Sequence, residues 1–272
     1  MKIIFTIITL FFFLGCSTIE IRESDAFDNH QTITPDSFQF SQYTLHETSI
    51  DTEDGETLNA WFLEHRDAKA TVLYLGGNGF LMLKSKPLIN AYSELPVNLL
   101  LFDYRGYGLS SGQPTVDGVI QDANAALEYA TTQTYSHSDQ IYIHGHSMGS
   151  FLSSHLAYNN RVNGYILESP ITEVKEWTRS LVPWLLRPFI RFVIDDSLTD
   201  QSNIEKVSHI EYPLLLIAGR NDEVTPFRMA ESLKEKSASE SVTLAIIDGG
   251  SHNNLPAFQA YQAALREFLG FN

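Results

Sequence analysis

From Tyr43 onward the chain alternates between short, unbroken apolar runs and longer stretches with helical spacing. The runs are TVLYL (71–75), VNLLLFD (97–103), QIYIHG (140–145), NGYILE (163–168), PLLLIAG (213–219) and VTLAIID (242–248). Their hydrophobicity is continuous, as expected of strands buried on both faces of a parallel sheet. Between them, 115–133, 148–159, 226–236 and 255–270 repeat apolar residues at the helical period, with Pro114 and Pro226 where helices start. Ahead of the first run, residues 43–65 form two alternating stretches about Asp54-Gly55, the pattern of a β-hairpin. Together these predict an α/β fold: a doubly wound, mostly parallel sheet with a leading antiparallel hairpin.

One interval is too long for a simple connection. More than forty residues separate the strand ending at Glu168 from the one beginning at Pro213, and they include SLVPWLLRPFIRFVI (180–194). A compact domain rarely leaves such a length idle, so about 171–209 is expected to be a small helical cap inserted in the main domain. Pro183, Pro188, Arg187 and Arg191 argue against a membrane span there.

The start of the chain follows another pattern. Lys2 precedes IIFTIITLFFFLG, which closes at Cys16, the only cysteine of the 272 residues. The stretch is shorter than the roughly 20 apolar residues a spanning helix needs, and it reads as a signal-peptide core. FLGC resembles a bacterial lipobox. The expectation is a lipoprotein signal peptide over 1–16 with a lipid on Cys16, a polar tether over 17–42, and the α/β domain over 43–272. Ser17 after the cysteine, where Asp could stand, resembles the signal for export to a Gram-negative outer membrane. That places the chain on the bacterial cell envelope, lipid-anchored to the outer membrane and facing the periplasm or the surface. A single cysteine excludes an internal disulfide, so packing must stabilise the fold.

Composition narrows the partners. With 43% hydrophobic and 19% charged residues the chain is an ordinary globular protein, and its net charge of −15, without any basic run, disfavours nucleic acid.

Two pentapeptides fit G-x-S-x-G: GLSSG (108–112) and GHSMG (145–149). A nucleophile elbow needs a strand, a sharp turn that exposes the serine, and a helix that starts at once, with glycines where the elements approach closely. Ser147 has all three. Ser110 is separated from its strand by several residues, and Gln113-Pro114 delays the next helix. In chains of this kind the acid and then the histidine follow on loops after later strands. Asp222 follows PLLLIAG, with Glu223 and Asp248 as weaker competitors, and His252 follows the last strand in GGSHNN. The other eight histidines read as ordinary residues; His144 sits in a strand, and His146 at the variable elbow position packs. The start of the helix after Ser147 aims free N–H groups and the positive end of its dipole toward an oxyanion.

With these residues the chain resembles the α/β-hydrolase superfamily, nearest its monoglyceride-lipase-like and serine-aminopeptidase-like members. LYLGGNG (73–79), FDYRGYGLSSG (102–112), LESP (167–170) and GRNDEVTP (219–226) carry the resemblance, which spans roughly 43–270. It implies that LYLGGNG is the oxyanion loop, with the N–H of Asn78 joining that of Met148. Gly76 stands where such loops usually have histidine.

The expected reaction is acyl transfer to Ser147, with His252 as base and Asp222 as its orienter, and no metal or organic cofactor. The expected substrate is a small-molecule carboxylic ester of short to medium acyl chain, held in an apolar pocket walled by the cap, Trp184 included. Peptidase or amidase activity is the alternative, and a non-catalytic binding protein a lesser one. A nucleotide-binding oxidoreductase is disfavoured because GYGLSSG has Ser111 where the third glycine of G-x-G-x-x-G should stand.

Overall fold

The computed structural model describes residues 17–28, 40–132 and 140–271. The leader with Cys16 lies outside them. In chain order the strands are β1 (Ser17–Ile21), β2 (Tyr43–Asp51), β3 (Thr57–His65), β4 (Ala70–Leu75), β5 (Val97–Phe102), β6 (Ile141–His146), β7 (Gly164–Glu168), β8 (Ile190–Ile194), β9 (Leu214–Gly219) and β10 (Val242–Ile247). The helices are α1 (Lys86–Tyr92), α2 (Val116–Thr132), α3 (Gly149–Asn159), α4 (Val174–Ser180), α5 (Asp196–Thr199), α6 (Asn203–Val207), α7 (Arg228–Lys236) and α8 (Gln259–Phe268).

Eight strands form the main sheet in the order β10-β9-β7-β6-β4-β5-β3-β2. The hairpin β2–β3 and the β3–β5 pair are antiparallel, and the rest are parallel. Every residue of β4, β5, β7 and β9 is buried, which is why their sequences read as unbroken apolar runs. The pleat sends alternate residues to opposite faces. Leu73, Leu100 and Leu216 pack toward α2 and α3, while Val72, Leu99 and Leu215 pack toward α1 and α8. This α/β-hydrolase architecture leaves the loops at the carboxyl ends of the central strands free to hold chemistry. The helix α1 falls where the pattern predicts none. Its seven residues make fewer than two turns, too few for a period to show.

The segment between β7 and β9 covers that end of the sheet, but it is not purely helical. Pro183 and Pro188 stop α4 from continuing, and beyond them Ile190–Ile194 alternate half-buried and exposed residues as the strand β8. Its partner is β1, which lies within the expected tether. The two run parallel, with Ile19 opposite Phe192 and Ile21 opposite Ile194. The Glu23 N–H donates to Asp195 Oδ2 at 2.8 Å, and Glu23 Oε1 accepts from the Val116 N–H at the start of α2 at 2.6 Å. Residues 17–23 therefore strap the cap to the body. Among the described residues no helix is long and apolar enough to cross a membrane.

Candidate active site

The turn after β6 is forced into its shape by close packing. Ser147 has φ of 52°, in the left-handed region that side chains seldom adopt. A Cβ on Gly145 would meet Gly149 O at 2.1 Å, and a Cβ on Gly149 would meet Leu75 O at 2.0 Å. Only glycine fits at either place. The Ser147 N–H donates to Glu168 O at 2.9 Å, fixing the elbow against the end of β7.

Two later loops bring their side chains to this serine. His252 Nε2 lies 3.0 Å from Ser147 Oγ, and His252 Nδ1 lies 2.9 Å from Asp222 Oδ2. Asp222 follows β9 in a tight turn where its Oδ1 accepts from the N–H groups of Val224 and Thr225, and its Oδ2 accepts from Thr225 Oγ1. Burial pushes the Asp222 carboxyl up, but the hydrogen bond and charge of His252 and the Thr225 N–H outweigh it and hold the group below the usual carboxylate range. The competitors lie elsewhere: Glu223 is exposed, and Asp248 pairs at the surface with Arg220. Ser110 is not near this group. Its hydroxyl donates to Asp103 O at 2.6 Å and accepts from the Asn59 N–H, pinning the 102–112 loop.

His146 does more than pack. Its Nε2 lies 2.9 Å from the carbonyl oxygen of His252, and the two rings stand 4.9 Å apart. Burial lowers the His146 pKa despite the opposing pull of Glu168, so the ring stays neutral and its Nε2–H can donate. Nothing in the sequence signals this contact, because the acceptor is a main-chain atom on a distant loop. Beneath it lies a buried cluster: His144 Nε2 is 3.0 Å from Glu168 Oε2, Tyr92 OH is 2.7 Å from His144 Nδ1, and Tyr261 OH donates to Glu168. Burial opposes ionisation of Glu168, but both histidines and Tyr261 hold its carboxyl below the ordinary value.

Asn78 and Met148 flank Ser147 on the wall of one cavity. A Cβ on Gly77 would lie 3.2 Å from Ser147 Cβ, so the 76–78 loop passes against the elbow. At Gly76 the space of a side chain is filled by the Phe80 ring, 2.1 Å from a built Cβ. Tyr104 OH donates to Gly76 O at 3.0 Å, and Asn78 Oδ1 accepts from Tyr107 OH and from the Asp28 N–H. Those contacts steady the loop without the usual histidine.

The cavity holds about 680 Å³. Phe151 and Leu152 come from the body; Val174, Trp177, Leu181 and Phe192 from the cap; and Ile19, Ile21 and Phe27 from the N-terminal strap. Trp184, expected in this wall, is 73% exposed and turned away, as are Leu185 and Leu186. Trp177 takes that place and donates from Nε1 to Val224 O at 2.9 Å, tying the cap to the Asp222 turn. Among the described residues no group of His, Cys, Asp or Glu is placed to hold a metal ion.

Residues 66–209 match the family model described as serine aminopeptidase, S33. An uncharacterized protein of Mycobacterium tuberculosis is 31% identical over 224 residues, covering 81% of this chain and 77% of its own. Among solved structures, an esterase of Pyrococcus furiosus superposes with a TM-score of 0.72 at 21% identity, covering 89% of this chain and 97% of that one. Acetyl xylan esterase 1 of Thermoanaerobacterium superposes with a TM-score of 0.64 at 16% identity, covering 91% and 89%.

Proposed function

The chain belongs to the serine aminopeptidase family of the α/β-hydrolase superfamily, and from that premise we propose that it hydrolyses carboxylic esters through Ser147, His252 and Asp222. The observation that carries the reading is the unbroken hydrogen-bonded line from Ser147 Oγ through His252 to Asp222, opening into an apolar cavity. His252 Nε2 takes the hydroxyl proton as Ser147 Oγ attacks the ester carbonyl. Asp222 fixes the imidazole tautomer and stabilises its charged form. The N–H groups of Met148 and Asn78 receive the oxyanion, His252 returns the proton to the leaving alcohol, and water then releases the acyl group from Ser147.

The cavity favours the acyl part of the substrate. Each methylene buried there contributes about 0.8 kcal/mol, so short- to medium-chain esters should outrun acetate until the cavity is filled. A second reading, hydrolysis of aminoacyl amides, has one feature in its favour: Asp25 lies on the cavity wall, where it could pair with a substrate ammonium. Asp25 Oδ2 already accepts from the Arg22 N–H, which weakens that use. Fluorophosphonate labelling of the parent, Ser147→Ala and Ser110→Ala chains, followed by esters of rising chain length against aminoacyl amides, tests both readings. Labelling that survives Ser147→Ala refutes the site, and amides cleaved faster than every ester refute the substrate class.

The same proposal includes the anchor: Cys16 carries lipid and holds the enzyme to the bacterial outer membrane. Loss of fatty-acid incorporation in Cys16→Ala is the expected result, and unchanged incorporation refutes it.

A further inference from the structure

We propose that the crest of the cap, residues 181–189, docks on a lipid bilayer bearing anionic headgroups, so that the cavity mouth opens at the membrane. Of residues 181–189 only Val182 is buried. Trp184 is 73% exposed, Leu185 62%, and Leu181, Leu186 and Phe189 between 38% and 50%. Large apolar side chains concentrated in this way mark a contact surface. Among the described residues the other exposed ones outside the cap and strap are Leu109, Tyr158 and Val224, the last of which also lines the cavity.

Three observations identify the occupant as a bilayer. First, charge: within the crest 181–189 Arg187 is the only charged residue, with Arg179 and Arg191 close on either side, and the acids Glu173, Glu176, Asp195 and Asp196 lie farther along the segment, in a chain of net charge −15. Cations beside an apolar crest suit phosphate headgroups above acyl chains. A second copy would set the same cations against each other.

Second, connectivity: Ser17 pairs with Ile190, immediately past the crest. Cys16 is the residue that precedes Ser17 in the chain. This connection rests on the proposed anchor: a lipid on Cys16 would hold the bilayer at this end of the cap.

Third, continuity: Leu181 and Ile19 are exposed and also line the cavity. An ester leaving the bilayer at the crest would meet the cavity wall directly.

The test is tryptophan quenching of the full chain inserted in vesicles of phosphatidylcholine and phosphatidylglycerol, with and without bromine on the acyl chains. Of the three tryptophans, Trp61 is buried and Trp177 lines the cavity, leaving Trp184 at the crest. The expected result is bromine-dependent quenching that Trp184→Phe removes, that Leu185→Asp with Phe189→Asp abolishes, and that weakens without phosphatidylglycerol. Absence of a Trp184-dependent quench on vesicles overturns the proposal. So does a Trp184 shielded only as protein concentration rises and a dimer sediments, since the occupant is then a second copy. The readout needs no hydrolysis, so it stands or falls apart from the ester reading.

Discussion

Gly149→Ala should disable the enzyme far more than it unfolds it. The added Cβ would sit 2.0 Å from Leu75 O and 2.7 Å from Gly76 O, where ordinary contact begins at 3.4 Å. The start of α3 and the end of β4 must therefore separate by more than 1 Å at this point. Leu75 leads straight into Gly76, Gly77 and Asn78, so the displacement falls on the loop proposed to bind the oxyanion. A misplacement of about 1 Å costs on the order of 10²-fold in rate. Overpacking costs about 1–3 kcal/mol of stability, and at roughly 2–4 °C per kcal/mol the melting temperature should fall by about 2–12 °C. Steady-state hydrolysis of 4-nitrophenyl butyrate, beside thermal unfolding followed by circular dichroism, separates the two effects. The drop should appear in kcat more than in KM, because the wall proposed to hold the acyl chain is built from other residues. Gly55→Ala is the control: its φ is +90°, but nothing lies within 4 Å of a built Cβ, so it should lose stability and keep kcat. A folded Gly149→Ala enzyme with kcat within twofold of the parent refutes the reasoning.

Asp222→Asn removes the acceptor that fixes the His252 tautomer and should lower kcat by roughly 10⁴; a loss below tenfold would assign the role to another group. Trp177→Ala should shift the preferred ester toward longer chains and Trp184→Ala should not, so identical chain-length profiles for the two variants would contradict the cavity wall described here. Stability should fall in acid. The unfolded chain protonates His146 near its ordinary 6.5 while the folded chain holds it neutral to lower pH, so folding loses free energy as pH falls from 6.5 toward the folded value. Glu168, depressed below 4.5, adds a further loss as pH falls through its own folded value. His146→Gln keeps a donor for His252 O and should make the melting-temperature profile shallower just below pH 6.5, where His65 and His155 also contribute; an unchanged slope there would count against a His146 held neutral in the fold.

The sheet was readable because strands buried on both faces leave continuous apolar runs, and the turns after β6, β9 and β10 follow directly from those runs. Ser147, Asp222 and His252 sit on those turns, so their places after successive strands were legible, whereas the strand order that brings the three turns together was not. Asp222 and Glu223 are adjacent, and only the turn decides that the first points inward. The strap was not legible. Ser17–Ile21 is five residues long, alternates two isoleucines with polar neighbours, and gains strand character only from β8. The cap misled for a related reason: hydrophobicity says that 180–194 wants apolar surroundings, but not which side meets the domain. Trp177, in a short helix outside that apolar run, reaches the cavity, while Trp184 at its centre does not. The role of His146 needed a backbone atom 106 positions away.

Pairing β1 with β8 makes the order of folding part of how the enzyme is built. The Glu23–Asp195 contact beside this pair spans 172 positions, among the longest separations in the molecule. The loop entropy of such a pairing is paid only when the intervening sheet has already brought its ends together. Until the pair forms, the cavity lacks the wall that Ile19, Ile21 and Phe27 supply. The same rungs belong to a two-stranded sheet separate from the main one, so they should also be among the first to open in native-state hydrogen exchange. The pocket proposed to take the acyl chain is thus completed by the first strand of the chain, and a chain that had lost that strand should keep Ser147, His252 and Asp222 while facing a different substrate.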